Sequence, residues 1–220
     1  MRRVLFRAAL LLATACGAPP PPTEPTPTPS SASRPSPPPP PTELNGPLGE
    51  HHSARFDLVL PLPDGAGWRV DDATTLWLVA THAASATTLL LRTWRPDDRG
   101  TRPACEAQAR LWRDLPGGDG RGIIDQHRVD VPTGFDTEVA IGVTSTPEHP
   151  ALVEGFAVAF GGWSRRCFAY IATTRAQGDT GPALVATRLA AMVELSLAGI
   201  RLESELAPSV SGPPRFSPRP

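Results

Sequence analysis

Residues 153–174 read VEGFAVAFGGWSRRCFAYIATT. Residues 153–160 and 166–174 are two runs of strand length, rich in β-branched and aromatic side chains, a composition that favours strand over helix. Gly161-Gly162 lies between the runs and suits the turn of a β-hairpin. The hairpin would then carry Trp163, Arg165 and Arg166 at its tip. Further strands are expected upstream. Phe56, Leu58 and Leu60 alternate with Arg55, Asp57 and Val59, and Pro61-Leu62-Pro63-Asp64-Gly65-Ala66-Gly67 breaks that run. A short segment at 68–70 follows, then strands at 76–81 and 88–94 joined through residues 83–86. Residues 123–131 and 137–143 complete the set.

Two segments change to a helical period. After Thr101 and Pro103, the residues Ala104, Gln108, Leu111, Trp112 and Leu115 recur at helical spacing until Pro116-Gly117-Gly118. A second helix opens near Asp179-Thr180 with Pro182 just inside; its stripe is Val185, Leu189, Met192, Val193 and Ser196, and Gly199 fits its end. The order is strands, helix, strands, helix. The expected class is α+β, with two helices packed on a mainly antiparallel sheet.

The two ends of the chain have a different composition. Met1-Arg2-Arg3 is a basic start, and residues 8–15 are apolar but too short to span a bilayer, which takes about 20 residues. Residues 1–15 therefore read as a secretory leader. Leu12-Ala13-Thr14-Ala15-Cys16-Gly17 resembles the bacterial lipobox, and that resemblance implies cleavage before Cys16 and lipidation of its sulfur. Ala13 stands where the lipobox prefers leucine, and simple secretion with Cys16 as a stray thiol is the alternative. Residues 16–50 contain runs of proline with threonine, serine and glutamate between them, too poor in apolar surface to offset ordering entropy. They are expected to form a disordered tether, followed by a globular domain at 51–207 and a disordered tail at 208–220.

The globular segment resembles the Mog1/PsbP-like superfamily. The resemblance rests on the opening Phe56-Asp57-Leu58-Val59-Leu60-Pro61 through Gly67-Trp68, the helix in mid-chain, the paired runs around Phe156, Phe160 and Cys167-Phe168-Ala169-Tyr170, and the closing helix to Leu197. It implies an α/β/α arrangement and a binding or accessory role without a shared catalytic site. Fold alone does not license function.

All 21 basic residues of the chain are arginine. Residues 51–207 carry 15 arginines against 19 Asp and Glu, a formal charge of −4. A mildly acidic domain lacks the basic footprint that nucleic-acid binding demands. With Cys16 assigned to lipid, Cys105 and Cys167 are left, and outside the cytoplasm two such thiols commonly pair. Two separate buried thiols are the alternative.

The candidate sites are few. His51, His52, His82, His127 and His149 form no zinc-ligand spacing, so no metal is expected. His51-His52 is expected in solvent at the tether junction, and His127 half-exposed on a strand. Gly117-Gly118-Asp119-Gly120-Arg121-Gly122 lacks the strand-before, helix-after context of a phosphate loop and reads as a connector. Asp71-Asp72 and Pro96-Asp97-Asp98-Arg99-Gly100 match no calcium loop. No nucleophile elbow is present and no cofactor signature is seen. Trp163, Arg165 and Arg166 have the composition of a binding hot spot, unless Trp163 folds back on the sheet. The expectation is a non-enzymatic binding or accessory module, held at the membrane by the Cys16 lipid, in the cell envelope and contacting an envelope protein. Gly17 after the lipid cysteine points to the outer membrane in a two-membrane cell. An envelope hydrolase or metal-dependent enzyme with a dispersed site, and an immunity-type inhibitor of a toxin, are the competing readings.

Overall fold

The computed structural model describes residues 43–145 and 151–206. Cys16, the leader, most of the tether, His149 and the tail lie outside the described residues. Among the described residues, no helix is long and apolar enough to cross a membrane.

Two short strands, β1 (Gly49–Ser53) and β2 (Leu58–Leu62), pair as an antiparallel ribbon. The main sheet contains β3 (Trp68–Asp71), β4 (Leu78–His82), β5 (Thr87–Trp94), β6 (Ile123–Arg128), β7 (Asp136–Ser145), β8 (Leu152–Trp163) and β9 (Arg166–Gln177). Its seven strands lie in the order β3-β4-β5-β9-β8-β7-β6, and each neighbouring pair is antiparallel. Helix α1 (Arg102–Trp112) packs on one face against β7, β8 and β9. Helix α2 (Gly181–Ala191) packs on the other against β8 and β9. It runs on as a π-helical stretch, Met192–Leu197, which packs on β2, and a short α3 (Glu203–Leu206) follows. Two helices on a mainly antiparallel sheet, the class expected from the order of elements, is what the chain forms.

The period-2 alternation of the central strands builds the two cores. Phe156, Val158, Phe160, Ala169 and Ile171 point towards α1, while Ala157, Ala159, Phe168, Tyr170 and Ala172 point towards α2. Both faces are covered, which is why these strands read as continuous apolar runs. The stripe expected on α2 is buried as predicted: Val185, Leu189, Met192, Val193 and Ser196 all lie inside. Where the helix widens, the Tyr170 hydroxyl donates to the Met192 carbonyl at 2.8 Å. Burial pushes that phenol well above its ordinary value. Arg188, absent from the expected stripe, is also buried; its guanidinium donates to the Arg175 carbonyl and to the Thr174 hydroxyl.

Four expectations about the fold are corrected. The buried side of α1 is Cys105 and Ala109, not the row through Ala104, Leu111 and Trp112. Leu111 is 86% exposed, and Trp112 lies edge-on to Trp94 at 5.0 Å. The cause is the bond from Cys105 to Cys167, which fixes the helix rotation with its small residues against the sheet. Gly161-Gly162 is not the hairpin turn. Both glycines are strand residues of β8, opposite Phe168 and Cys167, and the turn is Ser164-Arg165 with Ser164 at φ 53°. The pair is there for close approach. A Cβ on Gly161 would meet the Phe168 ring, and one on Gly162 would lie 2.6 Å from the Arg102 amide nitrogen and the Gly100 carbonyl. Finally, Pro61-Leu62 continues β2 and does not break it. Leu44 is buried and β1 begins at Gly49, so the fold takes in residues upstream of 51.

Candidate functional site

The β8–β9 hairpin ends at one edge of the α/β/α sandwich, and three other segments meet it there. Register places Trp94, at the end of β5, opposite Cys167. That puts Arg95 beside the hairpin. The segment after β5 returns across the tip: Gly100 N–H donates to the Ser164 carbonyl at 2.7 Å, and a Cβ on Gly100 would strike the Arg166 carbonyl. The residues before β2 supply Arg55, Phe56 and Asp57. The result is two adjoining concavities. One, of about 310 Å³, is lined by Arg95, Trp163, Ser164, Arg165 and Arg166. The other, of about 260 Å³, includes Arg55, Asp57, Trp94, Arg95 and Arg166 in its walls.

The three hot-spot residues expected from sequence behave differently. Trp163 does not fold back, and it is 49% exposed. Arg165 is exposed, and its guanidinium donates to the Asp97 carbonyl at 3.2 Å. Arg166 is held: its Nη1 donates to Asp57 Oδ2 at 2.7 Å. Asp57 in turn accepts from the Ser204 amide at 2.9 Å and the Ser204 hydroxyl at 3.0 Å. Burial alone would raise the Asp57 carboxyl, but the Ser204 hydrogen bonds and the Arg166 guanidinium together hold it below its ordinary value. Arg166 is thus fixed in place, while Trp163, Arg165 and Arg95 face solvent. Electrostatically the edge is positive. Burial and then the like charge of Arg55 lower the Arg92 guanidinium below its ordinary value. That guanidinium stacks 3.8 Å from the Trp112 ring centroid, an attractive cation–π geometry.

The direction of the Asp57 shift gives a pH prediction. A carboxyl whose folded pKa is lowered adds stability above its unfolded value, near 3.8, that is lost as pH falls through the folded value. Asp57 sits at φ 52°, a conformation asparagine also tolerates, so Asp57→Asn removes the charge without new backbone strain. Melting curves from pH 7 to pH 2.5 are expected to show the two proteins converging as pH falls below the ordinary carboxyl value of 3.8. Parallel curves over the whole range would contradict the clamp.

Sequence reasoning found the hairpin arginines but missed Arg95, which the β5–β9 register brings in, and Arg55, which sits in the turn held to β5 by the hydrogen bond from the Thr93 hydroxyl to the Phe56 carbonyl. It also missed a buried polar chain on the α2 side. His82 lies within hydrogen-bonding distance of Asp64 (Nε2 to Oδ2, 3.1 Å) and of Ser85 (Nδ1 to Oγ, 2.8 Å). Ser85 donates to Thr87 at 2.8 Å, and Thr87 reaches Thr174 at 3.0 Å. The residue types match a hydrolase triad. However, Ser85 is fully buried and its hydroxyl proton is committed to Thr87, so the set acts as a satisfied core network. His51 is half-buried against Asp72 at 3.2 Å rather than free in solvent, His52 is exposed, and exposed His127 contacts Asp125 at 2.8 Å. Among the described residues, no group of three His, Cys, Asp or Glu side chains is placed to hold a metal ion. The Gly117–Gly122 segment follows α1 and precedes β6.

Fold and edge together define an α/β/α domain with a positive rim that carries an exposed tryptophan. No protein-family model matches the chain, and no curated protein matches it. Among solved structures it is similar to a protein of Bacteroides thetaiotaomicron VPI-5482, at 9% identity and a TM-score of 0.43 over 70% of this chain. The chain spans about 47% of the length of that protein. It is similar to a point mutant of protein Mog1, at 8% identity and a TM-score of 0.46, over 71% of this chain and 96% of the other. It is similar also to cyanobacterial PsbP (CyanoP) from Synechocystis sp. PCC 6803, at 12% identity and a TM-score of 0.45, over 70% of this chain and 92% of the other.

Proposed function

We propose that this protein is an envelope lipoprotein, anchored through Cys16, whose domain is a non-enzymatic binding module. In this reading the Trp163 rim engages a partner that presents acidic side chains. The observation that carries the rim is the gathering of Arg55, Arg95, Arg165 and Arg166, from three separate segments, around an exposed tryptophan. A local excess of guanidinium on a domain of net charge −4 is not a consequence of composition. Tryptophan and arginine are the side chains most enriched at binding hot spots. Lipidation and export rest on the sequence of residues 1–17. A lipid contributes ~0.8 kcal/mol per buried methylene, and two chains suffice to hold a domain at a membrane.

The test has two parts. Intact mass of the mature protein from the membrane fraction is expected to show a diacylglyceryl adduct on a chain beginning at Cys16. An unmodified mature chain would end the anchor reading. In crosslinked pull-downs, Trp163→Ala with Arg165→Ala is expected to reduce partner recovery at least tenfold, corresponding to ~1.4 kcal/mol. Recovery is also expected to fall as salt rises, because rim charges act through a screened field. A partner set unchanged by the double substitution would remove the rim from the account.

A further inference from the structure

The two concavities at the hairpin edge differ in what lies at the bottom. The larger is walled by the hairpin tip and Arg95. The one of about 260 Å³ has a floor of hydrocarbon, made by Phe56, Trp94, Phe135 and Leu202. That floor is delivered by the turn before β2, the end of β5, the loop before β7 and the residue before α3. The Thr93 hydroxyl ties the first two segments together by donating to the Phe56 carbonyl at 2.8 Å. Around the floor stand Arg55, Arg95 and Arg166, with Asp57 as the opposing carboxylate. Three guanidiniums against one carboxylate leave the wall positive.

The donors of these arginines are largely unused. Arg166 commits Nη1 to Asp57, whose oxygens Ser204 also holds, but a guanidinium has five N–H donors. Arg55 donates to the Asp72 carbonyl at 2.6 Å, a neutral acceptor. The Asp71 carboxyl, held low first by Thr74, feels the Arg55 charge from outside the concavity. Arg95 has no hydrogen bond or ion pair among the described residues, and it stands in the wall that the two concavities share.

Cationic walls over a hydrocarbon floor fit an acid carried on an apolar body. The side chains of Asp and Glu lack this form, since they have no apolar group beyond the methylenes that join the carboxylate to the backbone. The last residue of a polypeptide has it when that residue is apolar, because α-carboxylate and side chain leave the same Cα. A guanidinium pairs with a carboxylate through two parallel N–H···O bonds, and capture of a terminal carboxylate is a recurring mode of peptide recognition. The volume lies just below the ~300–1,000 Å³ of drug-sized sites, so it suits a single residue and not a folded element. The residues before the last one have a way out. Arg95 and Arg166 line both concavities, so a chain that ends in the first runs on into the second, beside Trp163.

We propose that the concavity between Arg55, Arg95 and Arg166 takes the C-terminal residue of the partner's chain, apolar and with its α-carboxylate free. This rests on the rim reading and deepens it by naming which part of the partner is held. The test presents the full chain with a library of peptides, random in their last four residues and free at the carboxyl end. Selected peptides are expected to end in Leu, Ile, Val or Phe. Amidating the best of them is expected to weaken binding at least tenfold by fluorescence anisotropy, and Arg95→Ala is expected to weaken binding of the free acid by a similar factor. N-acetyl-leucine is expected to compete for the site, at least tenfold more weakly than the peptide. Selection of no terminal residue, equal binding after amidation, or unchanged binding by Arg95→Ala would overturn the proposal. N-acetyl-leucine binding as tightly as the peptide would make a free small acid the ligand and overturn the chain terminus. Partner recovery that falls with Trp163→Ala and Arg165→Ala, while no terminus is selected, would overturn this proposal and leave the rim standing.

Discussion

Replacing Cys105 and Cys167 together by alanine is expected to lower the free energy of unfolding by about 4 kcal/mol on the chain-entropy model. The bond joins residues 62 apart, with Cα atoms 5.5 Å from each other, so it closes a loop that holds α1 and strands β6 to β8. Removing it frees the unfolded chain and so favours unfolding, even though alanine fits where the buried sulfurs were. The loss is also expected to reach the rim. Cys167 is followed backwards in the chain by Arg166 and opposes Trp94, so a loosened α1 loosens the wall that carries Arg95 and Trp163. Urea unfolding checks it: the midpoint of the double variant should fall well below that of the oxidised protein, with a similar slope. Reduction of the wild-type protein should reproduce the shift. Coincident midpoints would mean that the staple carries no stability.

Gly162→Ala is expected to cost about 3 kcal/mol, at the upper end of what overpacking usually costs. The atoms a Cβ would meet are backbone: the Arg102 amide nitrogen and the Gly100 carbonyl, each at 2.6 Å. Neither can rotate away, so either the first turn of α1 lifts or β8 bends. The neighbouring Gly161→Ala meets the Phe168 ring instead, a side chain that has some freedom to shift, and a smaller loss is expected there. Gly120→Ala provides the control. That residue has φ 75° and open space around it, so the substitution should cost about 1 kcal/mol, from backbone strain alone. Thermal denaturation of the three variants should rank them Gly162, Gly161, Gly120. A Gly162→Ala protein as stable as wild type would show that α1 does not approach the sheet this closely.

These glycines show where sequence reading stops. Two consecutive glycines before an exposed-looking Trp-Ser-Arg suit a turn on local grounds. Their actual role is set by α1, about sixty residues upstream, and by the Phe168 ring across the hairpin, neither of which local chemistry can register. The face of α1 was misread for the same reason. Leu111 and Trp112 are the most apolar residues of that helix, yet it is oriented by a disulfide and by a need for small residues against the sheet. β1 was invisible because GEHHS has no apolar alternation, and it forms only as the pairing partner of β2. By contrast, the long strands and the α2 stripe were legible. Their side chains are buried on both faces or along one whole side, so burial wrote their period directly into the chain. Half the rim was legible too, since Trp163, Arg165 and Arg166 are contiguous. Arg95 joins them only through the β5–β9 register, and Arg55 only through the turn before β2, which is tied to β5 where the Thr93 hydroxyl donates to the Phe56 carbonyl at 2.8 Å.

The central claim is that the Trp163 rim faces a partner in the envelope. It is tested most directly by placing a photo-crosslinking residue at position 163 in the full chain and irradiating intact cells. Ala107, on the exposed side of α1, is the control position. The account predicts a discrete crosslinked product from position 163, absent from position 107 and lost when Arg95 and Arg165 are also replaced by alanine. No product at 163, or the same products from both positions, would contradict it.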